Sequence, residues 1–307
     1  MPMDKIAVVT DSVANIPAEL VEKYDIHVVP CLVAFGQEVF RDGVDMTPTE
    51  FYRRFRESDD LPTTSVPSMG EFLSLYRRLS GEAEGIVSIH LSNKLSATVE
   101  LARGASKMLP DIPIRVIDTH NAAMAQGFVV LEAARVAAAG GNLWEVVAKA
   151  EEMIPKVHLR AVLDTLKYLR RTGRIGRAEA LAGSLLQIKP ILHVGRDGVV
   201  EALEKPRTKR KAVRRMLEMM EEIVGSEPVH VAVMHADAPE EAERLREEVA
   251  SRFNCVELFV TEFTPVMGVH TGPGLVGLAF YSDRELAAVP TSARSPTWKP
   301  RPAFGVI

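Results

Sequence analysis

Two clusters of hydroxyl side chains stand where the chain passes into a helical pattern. The first is Thr63-Thr64-Ser65-Val66-Pro67-Ser68, four hydroxyls in six residues, just before a helical pattern that starts at Met69. The second is Leu91-Ser92-Asn93-Lys94-Leu95-Ser96-Ala97-Thr98, between an apolar run and the next helical pattern. Hydroxyl donors beside the unpaired amides of a helix start form a cradle for an anion. Neutral hydroxyls suit a carboxylate, because they hold it without stripping water from a full cationic partner. The competing reading is that Ser68 and Ser96 merely cap their helices. A third segment, Val269-His270-Thr271-Gly272-Pro273-Gly274, sets a histidine in a glycine-rich turn, as a local hydrogen-bonding group or a functional one. Ser96 or Ser68 as nucleophile with His270 as base would instead describe a hydrolase or transferase.

The elements around these clusters decide whether they can meet. Residues 5–9, 26–33, 86–89 and 115–117 are short β-branched or apolar runs, and residues 69–79, 97–109 and 122–139 read as helices between or after them. This alternation predicts a doubly wound, mainly parallel sheet over residues 1–158. In such a sheet the loops after the strands share one edge, where ligands bind at a switch point, so the two hydroxyl loops can converge. Residues 36–46, rich in turn formers, read as a small hairpin insert. From residue 159 the texture changes to a strand at 161–163, a long helix at 209–224 and strands at 230–234, 258–263 and 275–281, predicting a C-terminal α+β domain to residue 284. Residues 285–307 are proline-rich without periodicity and read as a flexible tail.

Bulk properties exclude several classes. The 307 residues are 47% hydrophobic and 25% charged with a formal net charge of -4, which gives no bulk attraction to nucleic acid. No apolar run approaches the roughly 18 residues of a membrane span, so no integral membrane segment is expected. The chain starts directly on a strand pattern, which argues against secretion. Cys31 and Cys255 stand far apart with no CxxC pair, so a reducing cytoplasm is the expected location and no metal site follows. Phosphate-loop, HExxH and GxSxG signatures are absent. Gly272-Pro-Gly274-Leu-Val-Gly277 spells GxGxxG but leads into an apolar strand rather than a helix, so it reads as a tight turn. Two basic runs remain, residues 169–177 and residues 205–215, the latter with seven Lys or Arg in eleven positions. They are solvated surface, a docking face, or a nucleic-acid surface; the net charge and the scarcity of aromatics in the runs weigh against the last.

Read in order, Thr10-Asp11-Ser12, Thr64-Ser65-Val-Pro67-Ser68, Leu95-Ser96, Asp118-Thr119, Leu166-Lys-Tyr-Leu169 through Gly173-Arg174-Ile-Gly176, Lys205-Pro-Arg207-Thr208 and His270-Thr-Gly272-Pro-Gly274 resemble the motif series of the DegV family of fatty-acid-binding proteins. Two departures stand out: Ala97 replaces the glycine of the family's LSGTY motif, and Ala123 and Ala125 stand where serine and glycine are usual. The resemblance implies a long-chain fatty acid, such as palmitate, stearate or oleate, buried between two domains. Its carboxylate would sit on Thr64 and Ser96, with Ser65, His270 and Arg207 near the head group. It further implies a carrier with no catalytic residues and no cofactor, which presents its acid to a separate fatty-acid kinase for acyl-phosphate formation and phospholipid synthesis. Arg170, Arg171 and Arg174 are the docking candidates for that partner.

Overall fold

The computed structural model describes residues 5–58, 61–184 and 188–282. The stretch 285–307 lies outside the described residues. The strands, in chain order, are β1 (Ile6–Asp11), β2 (Ile26–Val29), β3 (Leu32–Phe35), β4 (Glu38–Arg41), β5 (Thr63–Ser65), β6 (Gly85–His90), β7 (Ile114–Asp118), β8 (His158–Val162), β9 (Ile191–Val194), β10 (Val200–Glu204), β11 (Val229–Ala236), β12 (Cys255–Glu262) and β13 (Leu275–Ser282).

The first sheet is four-stranded and parallel, in the order β2-β1-β6-β7. Both faces are covered, which is why its strands read as continuous apolar runs rather than alternating ones. Ala7 and Val9 of β1 pack toward the helices Met69–Leu79 and Thr98–Ser106, while Ile6 and Val8 face the helix Ala123–Ala138. β1 has β2 on one side and β6 on the other, so the chain reverses its winding there and leaves a crevice beyond the strand ends.

The expected single strand at 26–33 is two strands. Pro30 has no amide to give a ladder, and the chain leaves the parallel sheet there. Beyond it, β3 joins a separate antiparallel sheet of order β4-β3-β5. The hairpin anticipated near residues 36–46 is the β3–β4 turn at Gly36, and β5 brings Thr64 opposite Val33 as a third strand.

The C-terminal sheet is six-stranded and mixed, in the order β10-β9-β8-β13-β11-β12, with only the β11–β12 pair parallel. The helix Lys209–Val224 covers the face that carries Val162, Ile191 and Leu278. Between the first sheet and the six-stranded one lies the helix Ala123–Ala138. It is buried nearly all round, as expected of a helix without a polar stripe. Its Phe128 meets Tyr281 edge-on, with ring centroids 5.1 Å apart, and Phe259 at 6.3 Å.

A cavity with one polar end

The first sheet and the six-stranded sheet enclose a cavity at the winding reversal. The empty space is about 1060 Å³ with its opening to solvent included. Its walls along β8 and β9 are mainly apolar, with Leu159, Ala161, Leu163, Leu192 and Val194 beside His193. The same cavity is lined by Thr64, Ser65, Ser96, Arg174 and His270, and also by His193, Thr271 and Cys31, so hydroxyl, imidazole and guanidinium groups share a space that is mostly hydrocarbon.

Each of these residues is placed by a local structural reason. Thr64 is held in register by the β3–β5 pairing. His270 lies in the last turn of the short helix Pro265–Thr271, and its Nε2 shares a 3.1 Å hydrogen bond with Thr64 Oγ1. Burial, with the Arg174 charge as a second cause, pulls His270 down to about 4, so the ring is neutral at pH 7. Its Nδ1 is buried without a partner. Ser96 follows the turn after β6; its Oγ lies 2.8 Å from Thr98 Oγ1 and accepts the Thr98 amide at 3.3 Å. A hydroxyl held this way keeps capacity for a further acceptor or donor.

Arg207 does not reach the cavity. It is exposed just ahead of the helix Lys209–Val224, which covers the sheet face opposite the one that lines the cavity. The arginine on the cavity wall is Arg174, one of the residues assigned above to partner docking. The helix Lys167–Arg171 ends and Gly173 takes φ 73°, which turns the chain back so that Arg174 Nε donates to Leu95 O at 3.1 Å, beside Ser96. Arg170 and Arg171 stay exposed; Arg170 pairs with Glu179, and Arg171 donates to Leu61 O at 3.0 Å. Spacing alone does not reveal which arginine of a basic run folds inward.

The residues of the serine-nucleophile alternative are engaged elsewhere. Ser68 is the N-cap of the helix Met69–Leu79, in a reciprocal capping box with Glu71. His270 shares a hydrogen bond with Thr64, and the Ser96 hydroxyl shares one with that of Thr98. A Ser–His–Asp chain does occur elsewhere: Ser88 Oγ lies 2.7 Å from His90 Nε2, and His90 Nδ1 lies 2.8 Å from Asp11 Oδ2. Its members are completely buried, and Tyr76 caps it by donating to Ser88, so no substrate can approach. Asp11 also accepts from the amides of Val13 and Leu91 and from Gln126 Nε2, tying together the loops after β1 and β6.

The two departures from the family pattern have different structural weight. Ala97 is exposed at φ −79°, an ordinary conformation, so its methyl group costs nothing there. Ala123 sits at φ 53° on the cavity wall, a conformation that costs a residue with a Cβ about 1–2 kcal/mol. Ala123→Gly is therefore expected to stabilise the fold by about 0.5–1 kcal/mol, glycine's greater freedom in the unfolded chain offsetting part of the relief. A urea midpoint unchanged or lowered would refute this.

The fold is an α/β framework of sheets and covering helices, and at the winding reversal of its parallel sheet hydroxyls, a guanidinium and a neutral histidine line one mainly apolar cavity. A family model described as "Uncharacterised protein, DegV family" matches residues 5–283, and the chain belongs to that family. It is 37% identical over 277 residues to Protein DegV of Bacillus subtilis, covering 90% of this chain and 98% of that one. Among solved structures, a fatty-acid-binding DegV family protein from Thermus thermophilus superimposes with a TM-score of 0.85 at 35% identity, over 91% of this chain and 99% of the other. A stearic acid-binding protein from Eubacterium ventriosum superimposes with a TM-score of 0.79 at 26% identity, over 90% and 98% of the respective chains.

Proposed function

We propose that this protein binds one long-chain fatty acid in the cavity, its carboxylate on Thr64 and Ser96, with neutral His270, Ser65 and the Arg174 guanidinium beside it. The observation that carries this reading is the gathering of these groups in a cavity whose other walls are mostly hydrocarbon. The fatty acids named for the Thermus and Eubacterium proteins support it. The alkyl chain supplies the larger part of the binding. About 0.8 kcal/mol per buried methylene gives, for some fifteen carbons, on the order of 12 kcal/mol before entropy losses. Each charge-assisted hydrogen bond at the head group adds about 1.5–3 kcal/mol and fixes the orientation. The protein would act in the cytoplasm as a carrier without a cofactor. It would present the carboxylate to a separate fatty-acid kinase for acyl-phosphate formation and so feed phospholipid synthesis. The exposed Arg170 and Arg171 would belong to the docking face.

Native and denaturing mass spectrometry of protein purified without added lipid tests this reading. Wild type is expected to carry a stoichiometric C14–C18 acid that is released only on unfolding. Thr64→Ala alone should retain lipid. The Thr64→Ala, Ser96→Ala double variant should lose about 3–6 kcal/mol of binding and lose most of its occupancy. A wild-type protein that is empty and cannot be loaded would sink the proposal.

A further inference from the structure

The face of the six-stranded sheet turned away from the fatty-acid cavity carries hydrogen-bond donors with no acceptor to match. Side chains alternate along a strand, and Leu159 and Ala161 line the cavity, so His158 and Arg160 project from the other face. There the His158 ring stacks on Phe280, with centroids 5.0 Å apart. Ala161 pairs with Leu192 and Val162 with Ile191, which sets Arg160 beside His193; His193 also borders the cavity. Arg160 is the unusual member. Its Nη1 donates to Leu159 O at 2.8 Å, yet its Nε is buried without a partner. Burial alone pulls its guanidinium down to about 10, because no carboxylate among the described residues is near enough to raise it. His158 Nε2 is likewise buried without a partner.

The charges nearby deepen the imbalance. Burial and then the Arg160 and Arg196 charges pull His158 down to about 4; burial and then Arg160 do the same to His193. Asp197 and Glu201, whose charges act on His193 in the opposite sense, are both paired with Arg177, and Glu201 stays 3.9 Å from His193 Nε2. A buried guanidinium is costly unless an anion balances it. The group is reachable, since His158, Arg160 and His193 are only partly buried and Arg196 is exposed. Arg160 Nη2, His158 Nδ1 and both His193 nitrogens are neither enclosed nor hydrogen-bonded among the described residues. The acceptor that fits this set is a tetrahedral dianion. A phosphate offers an oxygen to each donor at once, and its charge of roughly −1.5 to −2 at pH 7 matches two guanidinium groups, whereas a carboxylate has two oxygens and one charge.

We infer that this face binds a phosphate group, held by the Arg160 guanidinium and the rings of His158 and His193, with Arg196 beside it. The site does not depend on the fatty-acid reading, because neither His158 nor Arg160 lines that cavity.

The test is an NMR titration of histidine-ring-labelled protein with inorganic phosphate near neutral pH, using sodium chloride at matched ionic strength as the control. The His158 and His193 signals are assigned by substitution to glutamine. The expected result is saturable shifts at both rings, absent with chloride. Arg160→Gln removes the buried charge and should weaken phosphate by roughly tenfold or more. Arg196→Ala, at an exposed position, is the second variant, expected to weaken binding severalfold and to keep the test decisive if Arg160→Gln fails to fold. Phosphatidylcholine vesicles with and without phosphatidic acid form the second arm. A response to free phosphate supports a soluble phosphate compound as the ligand, and a response to phosphatidic acid alone supports a lipid head group. No saturable shift in either arm, an equal response to chloride, a shift at His193 without one at His158, or unchanged affinity in whichever of these variants folds would each overturn the proposal.

Discussion

Acidification from pH 7.5 to 4.5 is expected to remove on the order of 5–8 kcal/mol of folding stability, which rivals the whole stability of an ordinary domain. Three histidines cause it. His158, His193 and His270 are each pulled down to about 4, in every case chiefly by burial. The unfolded chain binds their protons near pH 6.5, so between that pH and about 4 the unfolded state takes up more protons than the native one. Stability therefore falls as pH drops through this window, by about 1.4 kcal/mol per unit for each histidine, and levels off below it. His158 and His193 share the Arg160 charge, so their contributions do not simply add. The carboxyls of Asp42 and Glu262, raised in the fold, act in the opposite sense and recover part of the loss. Urea midpoints at pH 7.5, 6.0 and 4.5 measure the effect, and His158→Gln should flatten the pH dependence by up to one proton's worth. Midpoints that do not move with pH would show that these rings are protonated in the native state.

Gly272→Ala is expected to cost about 2–5 kcal/mol. Two terms contribute: φ 68° at this position, about 1–2 kcal/mol for a residue with a Cβ, and overlap of that Cβ with the Tyr168 ring, about 1–3 kcal/mol for forced repacking. Tyr168 cannot easily retreat, since its ring packs against Phe55 with centroids 5.3 Å apart. Gly140→Ala is the control, because Gly140 also has positive φ, 87°, but open space around it, and should lose only about 1 kcal/mol. Equal losses at both positions would show that the Tyr168 contact carries no energetic weight. The apparent nucleotide motif at residues 272–277 is thus a packing device. Gly272 accommodates Tyr168 and Gly274 accommodates Asp164, at the junction between the His270 helix and β13.

What the sequence made legible follows the strength of local signals. The helices Met69–Leu79 and Lys209–Val224 match their expected limits because Ser68 and Thr208 cap them and their apolar residues recur at helical spacing. The helix Pro239–Arg252 escaped notice because only Ala242, Leu245 and Val249 are buried among many charges, too thin a stripe to stand out. The β9–β10 hairpin was missed for a related reason: strands of four and five residues carry little pattern. Motif order points to Thr64, Ser65, Ser96 and His270, which line one cavity, whereas the presence of Arg174 rather than Arg207 on that wall depends on a backbone reversal at Gly173 that residue types do not dictate.

The helix Ala123–Ala138 also bears on how such a protein can be divided. By position it belongs to the N-terminal half, yet Tyr281 and Phe259 of the C-terminal half cover Phe128. A gene fragment ending near residue 158 would leave that apolar surface bare, inviting aggregation. The two halves are therefore not interchangeable parts: recombination between relatives at this boundary has to carry matched partners for Phe128 or lose the fold.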